Sequence, residues 1–380
     1  MSISSPKPAI LQILPALDAG GVERTTIDIA AALSREGYQP LVVSKGGRLE
    51  PELAEAGGEL IRLRAAAKAP HVILSNALAL ARIVQTRDVK LIHARSRAPA
   101  WSALIAARRT GVPFVTTYHG IYNSGFALKR LYNSVMVRAD AVIANSQWTA
   151  DHVLAEHKVD PAKLTVIPRG VDLARFDPGG ASPDQIAALR AEWGAAPDDV
   201  VVLLPGRLTR WKGQLVFVEA LAQLGARRIR GVLIGDAQGR AGYEVEVRNA
   251  IAAAGLGDRI VFGGHVTDMP LAYLAADIVV SASTDPEAFG RVAAEAAAMG
   301  RPVIATDHGG ARETVLAGVS GLLTPPGDAS ALAQAIAELA AKDAAERGAM
   351  GMAGRAHIVA RYSLDRMCAD TIGLYRKLIA

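Results

Sequence analysis

The sequence predicts an α/β protein built from two doubly wound domains, each with a parallel sheet covered by helices. Three observations support this fold class. Short runs of apolar and β-branched residues recur along the chain, they alternate with helical patterns, and one stretch near the middle interrupts the series. Runs that are apolar on both faces are typical of buried parallel strands, and strand–helix alternation indicates βαβ units. A chain of 380 residues is long enough for two such domains.

About six strands are expected in each domain. The first series of apolar runs consists of AILQILP (9–15), PLVVS (40–44), KLIHA (90–94), PFVTTYH (113–119), AVIANS (141–146) and LTVIP (164–168). The second series consists of VVVLLPG (200–206), GVLIG (231–235), RIVFGG (259–264), IVVSAS (278–283), PVIATD (302–307) and GLLTP (321–325). Helical patterns such as VERTTIDIAAALSRE and QLVFVEALAQLG lie between the runs.

A domain boundary is predicted around residues 173–198, which are rich in Pro, Gly and Asp and contain no readable strand. The last amphipathic pattern, SLDRMCADTIGLYRKLI, is a terminal helix of a kind that can cross back onto the first domain. The expected domains are therefore 1–172 with 363–380, and 173–362.

Composition indicates a cytoplasmic protein. Hydrophobic residues make up 51% of the chain, enough for a large core. Cys368 is the single cysteine, so no internal disulfide can form, and a reducing compartment is expected. The sequence has no apolar run of about 18 residues, and its N-terminus lacks the pattern of a secretory leader.

Positive charge is concentrated in the first half of the chain. The net charge is +5, and between Arg82 and Arg138 ten basic residues stand against a single acid, Asp88. This region is either a solvated basic face or a surface that meets an anionic membrane or an anionic acceptor. Nucleic-acid binding is not expected, because no recognition motif accompanies the modest basic excess.

Two strand-to-helix junctions of the first domain have unusual residues. Gly20 and Gly21 follow the first predicted strand and let the backbone approach a ligand at a helix start. They form no G-x-G-x-x-G or P-loop motif, which argues against a simple dehydrogenase or a P-loop NTPase. His119 ends a later strand, where an imidazole is either structural or able to hydrogen-bond a sugar hydroxyl.

The second domain has two further junctions. In LLPGRLTRWKGQ, Gly206 ends a strand, and Arg207 and Lys212 flank a short loop before the next helix. Two cations beside helix N–H groups form a seat for a pyrophosphate, unless both are simply solvated. In DPEAFGRVAAEAAAMG, Glu287 precedes a helix that begins near Phe289 or Gly290, and Glu295 lies inside it. A buried carboxylate needs donors, which ligand hydroxyls could supply; the alternative is a helix cap at Glu287 and an exposed Glu295.

Taken together, these motifs resemble one enzyme family. PEAFGRVAAEAAAMGRPVIATDHGGARETV resembles the E-x7-E region of retaining, two-domain (GT-B) glycosyltransferases of the family-4 type, and PGRLTRWKG resembles their donor loop. GGVERTTIDIA resembles their N-terminal glycine loop, TYHG their histidine site, and ANSQWTADHV with VIPRGVDLARFDP their inter-domain segment. The resemblance covers nearly the whole chain in one order.

The resemblance implies a role for each matching position. Arg207 and Lys212, on the loop that Gly206 begins, are expected to neutralise the diphosphate of a nucleotide-sugar donor. Glu287 is expected to bind hydroxyls of the transferred sugar, and Glu295 the ribose diol. The backbone N–H groups at Phe289, Gly290 and Arg291 are expected to contact the sugar and the phosphate, and the segment around Val266 to lie beside the base. In the first domain, the backbone at Gly20 and Gly21 is expected beside the phosphate, and His119 near the reacting sugar.

Two departures from the family pattern concern ligand contacts. Many relatives have PNGVD where this chain has PRGVD, so Arg169 either faces the cleft expected between the domains or is solvated. The usual G-D-G-P step is IGDAQGRAG here, and the donor preference of well-known relatives therefore cannot be transferred.

The predicted function is retaining transfer of a sugar from a UDP-, GDP- or ADP-linked donor to a hydroxyl of a glycan or glycolipid, for example in lipopolysaccharide or other cell-envelope synthesis. Catalysis is expected to be electrostatic, with no metal and no resident cofactor, on closure of the two domains. The acceptor is expected on the first domain, at the inner membrane face. Two alternatives remain: a nonhydrolysing nucleotide-sugar epimerase and a non-catalytic protein that binds sugar nucleotides.

Overall fold

The computed structural model describes residues 7–18, 20–122, 125–225, 228–237, 239, 241–264 and 266–380. Contacts within the chain divide it into two compact units. Unit 1 consists of residues 1–170 and 364–380, and unit 2 consists of residues 171–363. The chain therefore leaves unit 1, builds unit 2, and returns to unit 1 with its last helix.

Unit 1 is a doubly wound α/β unit. In chain order it contains β1 (Ala9–Ile13), α1 (Gly21–Arg35), β2 (Gln39–Ser44), α2 (Glu50–Glu55), β3 (Glu59–Arg62), α3 (Pro70–Thr86), β4 (Val89–Ala94), α4 (Arg97–Thr110), β5 (Phe114–Tyr118), α5 (Ala127–Asn133), β6 (Ala141–Ala144), α6 (Gln147–Glu156) and β7 (Leu164–Val166). In the described part of the unit, the strands form one parallel sheet in the order β3-β2-β1-β4-β5-β6-β7. The order reverses between β1 and β4, which is the switch point where doubly wound sheets bind ligands.

The structure adds one strand to the six that the sequence identified in unit 1, namely β3 at the edge of its sheet. This strand has only four residues, ELIR, and each of them is at least partly exposed. An edge strand with a charged residue at either end lacks the two-sided apolar pattern that identifies buried strands. The strand is nevertheless in register with β2, where Leu41 pairs with Glu59 and Ser44 pairs with Arg62.

Unit 2 repeats the same plan with six strands in its described part. It contains α7 (Pro183–Glu192), β8 (Val200–Pro205), α8 (Gln214–Gln223), β9 (Ile229–Ile234), α9 (Ala241–Ala253), β10 (Ile260–Gly264), α10 (Met269–Ala275), β11 (Ile278–Ser281), α11 (Arg291–Ala298), β12 (Val303–Thr306), α12 (Ala311–Thr314), β13 (Gly321–Thr324), α13 (Ala329–Ala341) and α14 (Ala344–Arg361). The parallel sheet has the order β10-β9-β8-β11-β12-β13. Its switch point lies between β8 and β11, where Ile278 pairs with Val202.

The sheets of both units are buried between helices, as the apolar runs predicted. Strand residues such as Leu11 and Ile92 in unit 1, and Leu203 and Val279 in unit 2, have no exposed surface. The predicted fold class, two doubly wound parallel sheets, is confirmed. Among the helices of the described ranges, none combines the length and the apolar character needed to span a bilayer.

The last helix, α15 (Leu364–Ile379), packs on unit 1. Its buried residues Met367, Ile372 and Tyr375 share a core with Ile10 of β1 and Ile29 of α1. The hydroxyl of Tyr375 lies 2.5 Å from Nδ1 of the fully buried His93 on β4. The end of the chain is thus part of the unit formed by its beginning.

Candidate functional site

Two loops of unit 2 meet at the switch point of its sheet. One loop follows β8 and runs from Gly206 to Gly213; the other follows β11 and leads to Gly290, the N-cap of α11. These loops carry Arg207, Lys212 and Glu287, the side chains that the sequence assigned to a nucleotide-sugar site. Because β8 and β11 are adjacent parallel strands, both loops leave the same edge of the sheet.

Close packing at Gly213 holds the first loop against the second strand. Gly213 has a φ of 76°, and a Cβ atom built there would lie 2.0 Å from the carbonyl oxygen of Ala282, just past β11. The N–H of Thr284 also donates to the carbonyl of Trp211 at 2.7 Å. No residue with a side chain fits this approach without moving the loop away from β11.

Lys212 and Glu287 form an ion pair across the two loops. The Lys212 ammonium donates to Glu287 Oε1 at 2.7 Å, and the side chains are only 13% and 17% exposed. The hydroxyl of Ser283 donates to the same oxygen. Burial opposes ionisation of Glu287, but the Lys212 ammonium and the two hydrogen bonds outweigh it and hold the pKa of the Glu287 carboxyl below its usual value. Within the described part of the chain both donors use Oε1, which leaves Oε2 for a ligand.

A glycine pair after β12 supports the backbone of Glu287. The N–H of Gly310 donates to the Glu287 carbonyl at 2.8 Å. Gly309 has a φ of 63°, and a Cβ atom there would lie 2.4 Å from the same carbonyl oxygen. The sequence analysis did not assign Gly309, Gly310 or Ser283 to the site. The GG step between a strand and a short helix was the available signal for the glycines.

His308, directly before these glycines, was also not predicted. Both ring nitrogens are enclosed, and neither has a hydrogen-bond partner among the described residues. The imidazole is close enough to Glu287 to contribute to lowering the pKa of that carboxyl. Buried polar groups without a partner are rare in folded proteins, which makes this imidazole a candidate ligand contact.

Glu295 is held by protein side chains. Its Oε1 accepts from Arg291 at 2.7 Å, its Oε2 accepts from the Tyr273 hydroxyl at 3.1 Å, and its side chain is 12% exposed. The alternative of an exposed Glu295 is wrong. The sequence analysis expected ligand hydroxyls as donors, and in this structure Tyr273 and Arg291 supply them. Burial, together with the Glu295 carboxylate, raises the pKa of Tyr273 well above its usual value.

The other predicted residues of unit 2 differ in how deeply they are buried. Arg207 is exposed and forms no ion pair within the described ranges, while Gly206 lies against the side chain of Lys212. Phe289 is buried against Tyr362, so its ring serves the core and its backbone alone can serve a ligand. Val266 is half-buried in the loop after β10 and packs against the core under α10.

Unit 1 contains the remaining predicted residues, Gly20, Gly21 and His119. Gly20 is the N-cap of α1, which begins at Gly21 directly after the β1 loop. The carboxylate of Glu23 lies against Gly20, beside the helix start where a phosphate was predicted. Burial raises the pKa of Glu23, and Arg169 and the backbone N–H of Glu23 partly oppose that rise.

His119 follows β5 and contacts Arg169, whose NH2 group lies 3.2 Å from Nδ1 of the imidazole. The open question about Arg169 is thus answered in part: its guanidinium is half-buried against His119. Nε2 of His119 is enclosed and has no hydrogen-bond partner in the described part of the chain. Burial, with the positive charges of Arg169 and Arg95, holds the pKa of His119 well below its usual value, so the imidazole is neutral at pH 7.

A buried guanidinium at the switch point of unit 1 was missed. Arg95 follows β4, is 3% exposed, and donates through Nε and NH2 to Oε1 of Gln12 on β1. Among the described residues Arg95 forms no ion pair, and burial lowers its pKa. The signal was a basic residue directly after the apolar run KLIHA, at the position where parallel strands present ligand contacts.

Comparison with known proteins identified two matching family models. Residues 19–175 match the model described as Glycosyltransferase Family 4. Residues 185–357 match the model described as Glycosyl transferases group 1. The first match contains β2 to β7 with Gly20, His119 and Arg169. The second contains both loops at the switch point of unit 2.

Individual relatives agree with these models. A D-inositol 3-phosphate glycosyltransferase from Segniliparus rotundus is 33% identical over 284 residues, which are 70% of this chain and 62% of that protein. A glycosyltransferase from Rickettsia africae with a known crystal structure is 37% identical in sequence to this chain. The two structures match with a TM-score of 0.91, over 98% of this chain and 99% of the other. The Anabaena protein HepE, solved with UDP and glucose, is 30% identical, with a TM-score of 0.83 over 97% and 99% of the two chains.

Proposed function

Because the chain belongs to the GT-B glycosyltransferases of the family-4 type, we propose that it transfers a sugar from a nucleoside diphosphate to an acceptor hydroxyl, with retention of configuration. One observation carries this proposal: the buried Lys212–Glu287 pair at the switch point of unit 2. The ammonium and the carboxylate lie side by side at the edge of the sheet where doubly wound folds bind nucleotides, which supports a donor site there.

Unit 2 is the proposed donor site. Arg207 and Lys212 neutralise the diphosphate, and the start of α11 at Gly290 adds backbone N–H groups. Oε2 of Glu287 accepts from hydroxyls of the transferred sugar, Glu295 from the ribose, and the segment at Val266 lies along the base. The UDP and glucose in HepE make a uridine nucleotide the first donor to test.

The chemistry needs stabilisation of a leaving diphosphate. The bond between C1 of the sugar and the phosphate oxygen breaks, a bond from C1 to the acceptor oxygen forms, and the acceptor proton leaves with the diphosphate or with solvent. Negative charge grows on the diphosphate, beside Arg207 and Lys212. One preorganised contact of this kind contributes about 3 kcal/mol, or roughly a hundredfold in rate. Neutral His119 of unit 1 serves as a hydrogen-bonding group, and the proposal includes no resident cofactor and no metal.

The direct test measures sugar transfer with UDP-, GDP- and ADP-linked donors. The acceptor panel includes inositol 3-phosphate, since the Segniliparus relative is named a D-inositol 3-phosphate glycosyltransferase. The variants Lys212→Gln and Arg207→Gln are expected to transfer sugar about a hundredfold more slowly. The control Arg228→Gln, which removes an exposed ion pair with Asp198 elsewhere in unit 2, is expected to keep full activity. Full activity in Lys212→Gln and Arg207→Gln rejects the assignment.

We further propose that the acceptor is a glycan or glycolipid of the cell envelope, such as a lipopolysaccharide precursor, and that the cytoplasmic enzyme docks on the inner membrane face through unit 1. The basic region 82–138 contains a short apolar segment at α5. Phe126, Leu128 and Leu131 are each more than half exposed, and Lys129 and Arg130 lie between them. Exposed apolar side chains beside cations suit an anionic lipid surface.

Co-sedimentation with vesicles tests the membrane proposal. We expect binding to vesicles that contain anionic lipid, a decrease with added salt, and a loss in the double variant Phe126→Ser, Leu128→Ser. The matched control is Val245→Ser, because Val245 is an apolar residue of unit 2 that is also more than half exposed. Absence of binding at every salt concentration, or a double variant that binds like the unchanged protein, contradicts the proposal.

A further inference from the structure

We infer that unit 1 binds a phosphate or carboxylate group of the acceptor in a basic cavity at the carboxyl ends of β2 and β3. The inference rests on the proposed function and adds the chemical class of the acceptor, an anionic sugar or cyclitol. The cavity measures about 540 Å³ and is lined by Lys45, Arg62, Leu63, Arg64, His71, Val72, Ser75 and Asn76.

Three cations line this cavity because each follows or ends a strand. Lys45 comes directly after β2, Arg62 ends β3, and Arg64 lies two residues further. The carboxyl edge of a doubly wound sheet is the edge where ligands bind. The cavity therefore lies at the same edge of the sheet as the switch point between β1 and β4, beside the neighbouring strands β2 and β3.

Acidic residues compensate these cations only in part. Arg62 pairs with Glu50 at 2.5 Å, and Lys45 lies 3.5 Å from Asp18. The guanidinium of Arg64 forms no ion pair and no hydrogen bond with any residue that the structure describes, and the nearby Asn76 side chain bonds to its backbone carbonyl. The cavity wall thus keeps a net positive charge, and it has one guanidinium ready to form a forked contact with an oxyanion.

The start of α3 adds to this positive potential. His71 and Val72 of the first turn line the cavity. That turn contains no acidic residue, and the N-cap, Ala69, offers no side-chain acceptor. The uncapped positive end of a 17-residue helix therefore reinforces the three basic side chains instead of being neutralised.

The cavity is larger than one anion and has mixed walls. Leu63 and Val72 supply apolar surface, and Ser75 supplies a hydroxyl. A phosphate alone leaves most of about 540 Å³ empty, whereas a phosphorylated or carboxylated ring can use the cations, the hydroxyl and the apolar wall together. These features select an anionic sugar or cyclitol over a free inorganic ion.

The cavity is coupled to the glycine loop of unit 1. The N–H of Leu17 donates to the carbonyl of Gly46, and the N–H of Leu49 donates to the carbonyl of Leu17. The segment after β2, which carries Lys45, is therefore bonded to the chain that leads to Gly20.

Calorimetric titration with the full-length protein tests this inference. Saturating UDP is present, so that the donor site is occupied. The probes are inositol 3-phosphate, glucuronate, uncharged inositol and inorganic phosphate. We expect the two charged ring compounds to bind, uncharged inositol not to bind, and inorganic phosphate to bind at least about tenfold more weakly than inositol 3-phosphate.

Matched variants locate the binding. Arg64→Gln is expected to weaken binding of inositol 3-phosphate roughly tenfold, and Lys45→Gln provides a second variant on the other wall. Arg108→Gln removes an exposed cation of α4 outside the cavity and is expected to bind like the unchanged protein. Arg64 and Lys45 are exposed, so neither variant should affect folding, and thermal unfolding checks this.

Three outcomes overturn the inference: no charged ring compound binds although UDP does, the Arg64→Gln and Lys45→Gln variants bind unchanged, or inorganic phosphate binds as tightly as inositol 3-phosphate. These failures are distinguishable from failure of the proposed function, which is judged by UDP binding and by the Lys212→Gln variant in unit 2.

Discussion

The side chain of Glu287 depends on Lys212 for its charge. Its carboxylate is mostly buried, and the Lys212 ammonium with the Ser283 hydroxyl keeps it ionised. Because its folded pKa lies below the usual 4.5, the stability it contributes is present above about pH 4.5 and is lost as the pH falls through the lower folded value. In the proposed donor site, the diphosphate would meet an ammonium whose position this ion pair already fixes.

Removing one partner of the Lys212–Glu287 ion pair should destabilise the protein more than replacing both partners. Lys212→Met leaves a buried carboxylate without its cation, and we expect a loss of about 3 kcal/mol in the free energy of unfolding. The double variant Lys212→Met, Glu287→Gln buries no uncompensated charge and should recover at least about half of that loss. Chemical denaturation at pH 7 measures both. A double variant no more stable than Lys212→Met contradicts the ion-pair account.

The buried histidine His93 should make unit 1 sensitive to mild acid. Burial, aided by Arg95 and His119, lowers the pKa of His93 well below 6.5. The unfolded chain therefore takes up a proton before the folded one does. Its contribution to stability is complete above about pH 6.5 and falls by about 1.4 kcal/mol for each pH unit below that value.

Denaturation at pH 7.5, 6.5 and 5.5 checks this effect. His119 adds a similar dependence, because its folded pKa is lowered in the same way. In the variant His93→Gln, unfolding should take up about one proton fewer, so the free energy of unfolding should depend less steeply on pH. The dependence that His119 contributes should remain. Equal slopes for the variant and the unchanged protein mean that His93 is not responsible.

At the scale of elements, the loop Gly206–Gly213 is positioned by its contact with the end of β11 rather than by its own sequence. Gly213 combines a left-handed conformation with a carbonyl contact that excludes a Cβ atom. The turn Arg210–Lys212 and the start of α8 follow from that contact. The reach of Lys212 toward Glu287 is therefore a property of two packed loops.

Gly213→Ala should separate these loops. We expect a loss of UDP affinity of at least about tenfold and destabilisation of more than about 1–2 kcal/mol, the usual cost of the left-handed conformation alone. Gly327→Ala is the matched control, since Gly327 has a φ of 77° and no atom within 4 Å of the added Cβ. UDP titration and thermal unfolding compare the two. If both variants bind UDP equally well, the contact with Ala282 does not position the loop.

At the scale of the whole molecule, unit 1 is completed by the last segment of the chain. Helix α15 buries Met367, Ile372 and Tyr375 in the unit 1 core and contacts His93 through the Tyr375 hydroxyl. The contact between His93 and Tyr375 joins residues that are 282 positions apart. The core of unit 1 therefore combines side chains from the first strands and from the last helix.

Truncation after residue 363 should destabilise unit 1 selectively. Hydrogen exchange is expected to show loss of protection in β1, α1 and β4, with unit 2 protected as before. Tyr375→Phe, a milder change, removes one buried hydrogen bond and should cost about 1–2 kcal/mol. Unchanged protection of unit 1 in the truncated chain shows that α15 is dispensable.

Much of the fold and part of the site could be predicted because they depend on local pattern. Two-sided apolar runs identified twelve of the strands, and the loop at Gly206–Gly213 and the Glu287–Glu295 spacing could be read directly. The family match favours glycosyl transfer over the epimerase alternative. The edge strand β3 was not predicted, because its four residues are at least partly exposed and lack that two-sided apolar pattern.

The amino-acid sequence by itself determined the two doubly wound units and the residue types at their strand ends. Only the tertiary structure decided which of these residues meet. Lys212 and Glu287 are 75 positions apart, the donors to Glu295 come partly from Tyr273, and Arg95 is buried beside Gln12. The physical reason is that the strand order of a sheet sets which loops are neighbours, and spacing along the chain does not contain that order.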